Sequence, residues 1–182
     1  MRKSRLLSAV VSFAAACSLL AAFASNAGAL STGSMEIEGA GLCISNLGAT
    51  GGNAPVELET CNGSAHQTWY FDAEPLGGYL IHNSQLNGGC IAHPSNSAGA
   101  GLTVQSCSSG PDPTQEFTTD YAVANVNNGA FGLNADNSSY GQTSLCVSNN
   151  GQLTVGSRVL LETCHRADPN QTILGVVAVV GG

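Results

Sequence analysis

The chain has 182 residues, of which 43% are apolar, 9% charged and 5% aromatic. That composition fits one compact domain and excludes a collagen, a coiled coil or a charged disordered tail. The formal net charge of −7 speaks against partners that are themselves polyanions.

Residues 1–29 read as a signal peptide. Arg2, Lys3 and Arg5 make a basic start, an apolar stretch runs from Leu6 to Phe23, and Ala27-Gly28-Ala29 is a small-residue cleavage signature. A rival reading acylates Cys17 as a lipoprotein anchor. It would leave the apolar run Leu19-Leu20-Ala21-Ala22-Phe23 at the mature start, where a soluble tether is expected, so soluble export is preferred. Without the leader, Arg158 and Arg166 are the only Lys or Arg residues facing twelve Asp+Glu. Nucleic acids and anionic membranes are held by clustered Lys and Arg, so neither is expected as a partner.

Beyond Cys17 stand six cysteines: Cys43, Cys61, Cys90, Cys107, Cys146 and Cys164. Six cysteines in an exported chain allow fifteen pairings. Taken consecutively they are separated by 18, 17 and 18 positions, which predicts the bonds Cys43–Cys61, Cys90–Cys107 and Cys146–Cys164. Closing a loop of this size is worth about 3 kcal/mol in chain-entropy terms. Structural zinc needs closely spaced ligand pairs, and no Cys-x-x-Cys occurs. His66, His82, His93 and His165 show no metal spacing either, so neither a metal nor another cofactor is expected.

The cysteine pairs mark a threefold repeat recurring about every fifty residues. The first copy runs Gly41-Leu42-Cys43-Ile44-Ser45-Asn46, then Val56-Glu57-Leu58-Glu59-Thr60-Cys61, then Gln67-Thr68-Trp69. The second runs Gly89-Cys90-Ile91-Ala92, then Leu102-Thr103-Val104-Gln105-Ser106-Cys107, then Gln115-Glu116-Phe117. The third runs Leu145-Cys146-Val147-Ser148-Asn149, then Val159-Leu160-Leu161-Glu162-Thr163-Cys164, then Gln171-Thr172-Ile173.

Each piece alternates apolar and polar residues and is bounded by Gly, Asn, Pro or Ser, the pattern of short strands; no window has helical periodicity. One such unit cannot cover its own apolar face. Three around an axis pool Val56, Leu102 and Val159, then Leu58, Val104 and Leu161, then Trp69, Phe117 and Ile173, into layers of one core. The expected fold is therefore an all-β protein, a β-trefoil over residues 30–182, with repeats at about 35–78, 79–129 and 130–182. A β-sandwich is the alternative. The apolar tail 173–180 is too short to span a bilayer and is expected as the last strand, closing the barrel beside Met35-Glu36-Ile37.

These residues resemble the ricin-type β-trefoil lectins, whose signature is a cysteine-bridged unit ending in Gln-x-Trp. Gln67-Thr68-Trp69 matches fully, while Gln115-Glu116-Phe117 and Gln171-Thr172-Ile173 keep the glutamine. The resemblance covers residues 35–182 and implies a secreted carbohydrate-binding module with a glycan or polysaccharide as partner. In galactose-binding members an aspartate sits two residues after the first cysteine, a position held here by Ser45, Ala92 and Ser148. An aromatic platform before the second cysteine is also a family feature, and none occurs in these segments. The asparagine before the repeat glutamine survives only as Asn170-Gln171; His66-Gln67 and Thr114-Gln115 replace it.

The third repeat is accordingly the best sugar-binding candidate, through Ser148, Asn149, Glu162, Asn170 and Gln171. The first offers Ser45, Asn46, Glu59, His66 and Gln67, and the second, with Ala92 and Pro94, offers least. The competing reading is that the glutamines and Asn170 satisfy backbone groups in turns.

An enzyme is not expected. Glu36/Glu38 and Glu57/Glu59 alternate with core residues and so face water, there is no Gly-x-Ser-x-Gly elbow, and the six cysteines are taken up by pairing. Asn62, Asn137 and Asn170 fit the glycosylation sequon, which marks surface turns. A trefoil that binds a protein through loops 47–55 and 108–114 is the alternative to a lectin.

Overall fold

Alternation sets the strands. Along Val56-Glu57-Leu58-Glu59 the apolar residues are buried and the glutamates only partly so, because successive side chains leave a pleated strand on opposite faces. The structure is a computed structural model and describes residues 33–74, 77–85, 89–120, 130–136, 142–175 and 179–180. The leader, with Cys17 and its cleavage signature, lies outside them, as does Asn137.

The first repeat contains β1 (Gly33–Ser34), β2 (Glu36–Ile37), β3 (Leu42–Ser45), β4 (Ala54–Pro55), β5 (Glu57–Glu59) and, after a 3₁₀ turn at Ala65–Gln67, β6 (Thr68–Ala73). The second has β7 (Tyr79–Asn83), β8 (Cys90–Ala92), β9 (Thr103–Gln105) and β10 (Glu116–Asp120). The third has β11 (Gly132–Asp136), β12 (Gln142–Ser148), β13 (Leu160–Thr163), β14 (Ile173–Leu174) and β15 (Val179–Val180).

Each repeat is built on one hairpin with one register. Cys43 on β3 faces Glu59 on β5, Cys90 on β8 faces Gln105 on β9, and Cys146 on β12 faces Glu162 on β13. That register brings each first cysteine diagonal to a second cysteine two residues further on. The bonds Cys43–Cys61, Cys90–Cys107 and Cys146–Cys164 form as their spacing predicts, with Cα separations of 5.0, 4.9 and 5.0 Å.

Successive repeats are joined by equivalent pairings. Trp69 on β6 lies opposite Asn83 on β7, Phe117 on β10 opposite Ala135 on β11, and Ile173 on β14 opposite Ile37 on β2. The last of these joins the end of the chain to its beginning. The tail is not one strand, however: β14 ends at Leu174, and a side chain at Gly175 would run into the Ser34 carbonyl oxygen. Beyond it β15 pairs in parallel with β6.

The threefold axis shows in three backbone hydrogen bonds. Val56 N–H donates to Leu102 at 3.1 Å, Leu102 to Val159 at 2.8 Å, and Val159 back to Val56 at 3.0 Å. Around this ring all nine layer residues predicted from the sequence are buried, and burying an aliphatic or aromatic side chain contributes about 1.5–3 kcal/mol. Trp69 also donates its indole N–H to the Ile44 carbonyl at 2.9 Å, so the one tryptophan is satisfied inside the core. The architecture is a β-trefoil.

Candidate functional site

The turn after the first cysteine strand is fixed by a buried asparagine. Asn46 donates to the Ala49 carbonyl at 2.6 Å and accepts from Gly48 N–H at 3.0 Å, while Ser45 Oγ accepts from Leu47 N–H at 3.1 Å. The third repeat copies this: Asn149 donates to Gln152 at 2.7 Å and accepts from Gly151 at 3.3 Å, and Ser148 accepts from Asn150 at 3.0 Å. Such side-chain turns stand in for backbone hydrogen bonds. They drive the next residue into the left-handed region, with φ of 53° at Leu47 and 51° at Asn150. The second repeat has Pro94 at that position, whose ring fixes φ near −65°, so the same turn cannot form there.

The repeat glutamines hold the chain on either side of the second cysteine. Gln67 accepts from Asn62 N–H and donates to the Thr60 carbonyl, both at 2.9 Å. Gln115 does the same with Ser108 and Ser106, both at 2.9 Å, and Gln171 with His165 at 2.7 Å and Thr163 at 2.8 Å. All three side chains are buried. Both ends of each amide are committed to backbone groups.

In the first repeat, turn and clamp enclose a cavity of about 250 Å³ lined by Ser45, Leu47, Glu59, Asn62, Ser64, His66 and Gln67. Four of the five first-repeat candidates therefore share it; Asn46 is buried in the turn beneath. Among the described residues, the Glu59 carboxylate, the Ser64 hydroxyl, the Asn62 amide N–H₂ and the Ser45 O–H make no hydrogen bond, although Asn62 Oδ1 does accept from Ser64 N–H at 2.9 Å. His66 is fixed by Gln85, whose amide nitrogen is 2.7 Å from its Nδ1. Gln85 Oε1 accepts in turn from Asn46 at 3.2 Å.

The third-repeat candidates bond to one another, to nearby backbone or to the Asp168 carboxylate. Ser148 donates to Glu162 at 2.6 Å. Asn170 donates through its side chain to Asp168 at 3.0 Å, Gln171 forms its clamp, and Asn149 its turn.

In the second repeat, His93 takes the asparagine's place and is buried edge-on against Phe117, with ring centroids 5.3 Å apart. Its burial lowers the imidazole pKa, against the opposing pull of the Glu116 and Pro113 backbone and of Asp112. Glu116 and Asp136 are buried nearby on β10 and β11, and burial raises the pKa of both; the charge of Asp136 raises Glu116 further. On the outer face of β6 and β7, Tyr70 stacks on His82 at 4.7 Å, and His82 Nδ1 lies 3.3 Å from the Cys107 sulfur. Burial lowers the His82 pKa while Asp72 opposes it. Tyr79 packs edge-on against Phe71. Neither tyrosine lines the first-repeat cavity, and Tyr121 and Tyr140 lie outside the described residues. Two groups, His82 with Cys90 and Cys107, and Glu36 with Cys43 and Cys61, lie within ligand distance, but in each the sulfurs are bonded to one another.

The ricin-type β-trefoil lectin domain family matches residues 31–142, well over half of the chain. The chain belongs to that family. Among solved structures, the designed threefold-symmetric protein ThreeFoil is similar with a TM-score of 0.66 and 19% identity, over 80% of this chain and 97% of that one. A ricin B-like lectin from Macrolepiota procera, solved in complex with lactose, is similar with a TM-score of 0.63 and 16% identity, over 82% and 97%. An exo-β-1,3-galactanase from Clostridium thermocellum matches with a TM-score of 0.65 and 17% identity, over 81% of this chain but 30% of that one. No curated protein matches the chain by sequence. No helix among the described residues is long and apolar enough to cross a membrane.

Leu47, Asn62 and Ser64 are cavity residues that the sequence did not offer for sugar binding, placing residue 47 in a protein-binding loop and Asn62 in a glycosylation sequon. Asn62 and Ser64 carried a signal, as they follow the second cysteine directly, where the chain must turn back toward its glutamine. For Leu47 the signal was the Ser-Asn-x-Gly turn shared with Asn150.

Proposed function

We propose that this ricin-type trefoil is an exported, non-catalytic carbohydrate-binding module whose first repeat carries the working pocket. The observation that carries the reading is the first-repeat cavity, in which Ser45, Glu59, Asn62 and Ser64 present polar groups with no partner among the described residues. A saccharide offers adjacent hydroxyls, each a donor and an acceptor, and a carboxylate oxygen pair accepts from two of them at once. Glu59 reaches the pocket from the strand facing Ser45. It supplies the acid that the family's aspartate position lacks here.

A cavity of about 250 Å³ is smaller than the 300–1,000 Å³ typical of drug-sized ligands, and suits one sugar ring rather than a buried chain. Membership of a lectin family, and the lactose held by the Macrolepiota procera relative, favour the same ligand class. Three disulfides favour an oxidising compartment and hence export. Catalysis draws no support from the pocket, where Glu59 is the only acid among the lining residues and a glycosidase needs two.

A glycan array and a polysaccharide pull-down with the purified, oxidised protein test this. Retention on at least one neutral saccharide, reduced at least tenfold by Glu59→Gln, is expected. Retention on none contradicts it.

A further inference from the structure

We infer that Leu47 is a specificity residue, selecting a pyranose that carries a methyl group beside its hydroxyls. This rests on the first-repeat pocket being a sugar site and adds the chemistry of what it prefers.

Three separate observations meet at Leu47. Its backbone lies at φ 53°, a conformation that suits glycine or asparagine and is an outlier for a bulky side chain. The equivalent position in the third repeat is Asn150, at φ 51° in the same turn. Leucine is thus the wrong residue for the turn, and strain of this kind concentrates at functional sites. Leu47 also contributes nothing to the core: its side chain is 49% exposed and stands outside the buried cluster. Finally, it lines the cavity together with Ser45 and Glu59. An apolar group held in a strained conformation, in water, on the lip of a polar pocket is explained by contact with an apolar part of the ligand.

The shape of the side chain narrows that part. A flat aromatic ring matches the broad C–H face of a sugar, but the cavity has no Phe, Tyr or Trp in its lining. A branched aliphatic end is small and convex, and what it covers well is a single methyl group. On a pyranose such a methyl comes from an N-acetyl substituent or from a 6-deoxy carbon. The polar groups of the same lining, Glu59 and Ser45, take the hydroxyls in either case.

Matched sugar pairs separate the two sources. The oxidised protein is titrated with galactose, N-acetylgalactosamine and 6-deoxygalactose, and with glucose against N-acetylglucosamine, for the native chain and for Leu47→Asn. Asparagine suits the backbone at this position, so the variant keeps the turn. The native protein is expected to prefer a methyl-bearing member by about fourfold, the worth of burying one methyl-sized group. In Leu47→Asn the affinity for the methyl-bearing member should fall to that for its parent sugar, so that the preference is lost. Preference in the N-acetyl pairs alone, or in the 6-deoxy pair alone, identifies the source. Sugar binding with no methyl preference, or a preference that survives Leu47→Asn, overturns the inference and leaves the pocket standing. No sugar binding at all overturns both.

Discussion

Ser148 donates a 2.6 Å hydrogen bond to Glu162, whereas Ser45 and Glu59, at the same positions of the first repeat, share none among the described residues. The same two residue types thus close on each other in one repeat and stay available in another. Glu162→Gln keeps an acceptor for Ser148 but removes its charge, and should cost about 1 kcal/mol of stability, the difference between a charge-assisted and a neutral hydrogen bond. Glu59→Gln should leave stability within about 0.5 kcal/mol of the native value. Denaturant melts of the two variants, read side by side, check this.

The glutamine clamps predict a larger effect. Gln171→Ala removes an acceptor from His165 N–H and a donor from the Thr163 carbonyl, leaving two backbone groups in want of partners at about 1–3 kcal/mol each. A loss of about 2–4 kcal/mol is expected, with a similar loss for Gln67→Ala and Gln115→Ala. Thermal unfolding followed by circular dichroism measures it; unchanged midpoints would show that water replaces the amide freely.

Each disulfide closes a loop within one repeat, so removing any one should destabilise by about 2–5 kcal/mol. The pair Cys90→Ala with Cys107→Ala tests this away from the first-repeat cavity, in the repeat where Pro94 replaces the asparagine turn. Peptide mapping of the non-reduced protein should return Cys43 with Cys61, Cys90 with Cys107 and Cys146 with Cys164. A peptide bridging two repeats would contradict the fold.

Titratable groups wholly or partly buried on and beside β7, β8, β10 and β11 give the protein a pH profile with two opposed slopes. His93 and His82 have lowered pKa values in the fold, so below the unfolded value near 6.5 the unfolded chain binds more protons and stability is lost as pH falls. Glu116 and Asp136 have raised values. Between their unfolded and folded values the native state binds more protons, so stability is lost as pH rises through that window. Glu116→Gln should therefore raise the midpoint near neutral pH and change it little at about pH 4. His93→Leu should shrink the loss between about pH 7 and pH 5. Melts across this range decide both.

The architecture was legible because it is carried by periodic features. Cysteine spacing fixed three bonds, and the recurrence of Val56, Leu102 and Val159 predicted the layer that the structure shows as a ring of hydrogen bonds. The tail was legible only in part, since the close approach of Gly175 to Ser34 is a tertiary contact with no local sequence signature. The site was harder to read. Sequence weighted the third repeat because Asn170-Gln171 keeps the family dipeptide, but whether a serine and a glutamate bond each other or a ligand depends on rotamers, which similar strings do not reveal. The burial of His93 had no local signal either: it takes the position that Asn46 and Asn149, also buried, fill in the other repeats.

An amide-resolved NMR titration with whichever saccharide the array retains tests the central claim most directly. The account predicts shifts concentrated at Ser45, Leu47, Glu59, Asn62, Ser64 and His66, absent in Glu59→Gln. Shifts centred instead on Ser148, Asn149 and Glu162, or on loop 108–114, would contradict it.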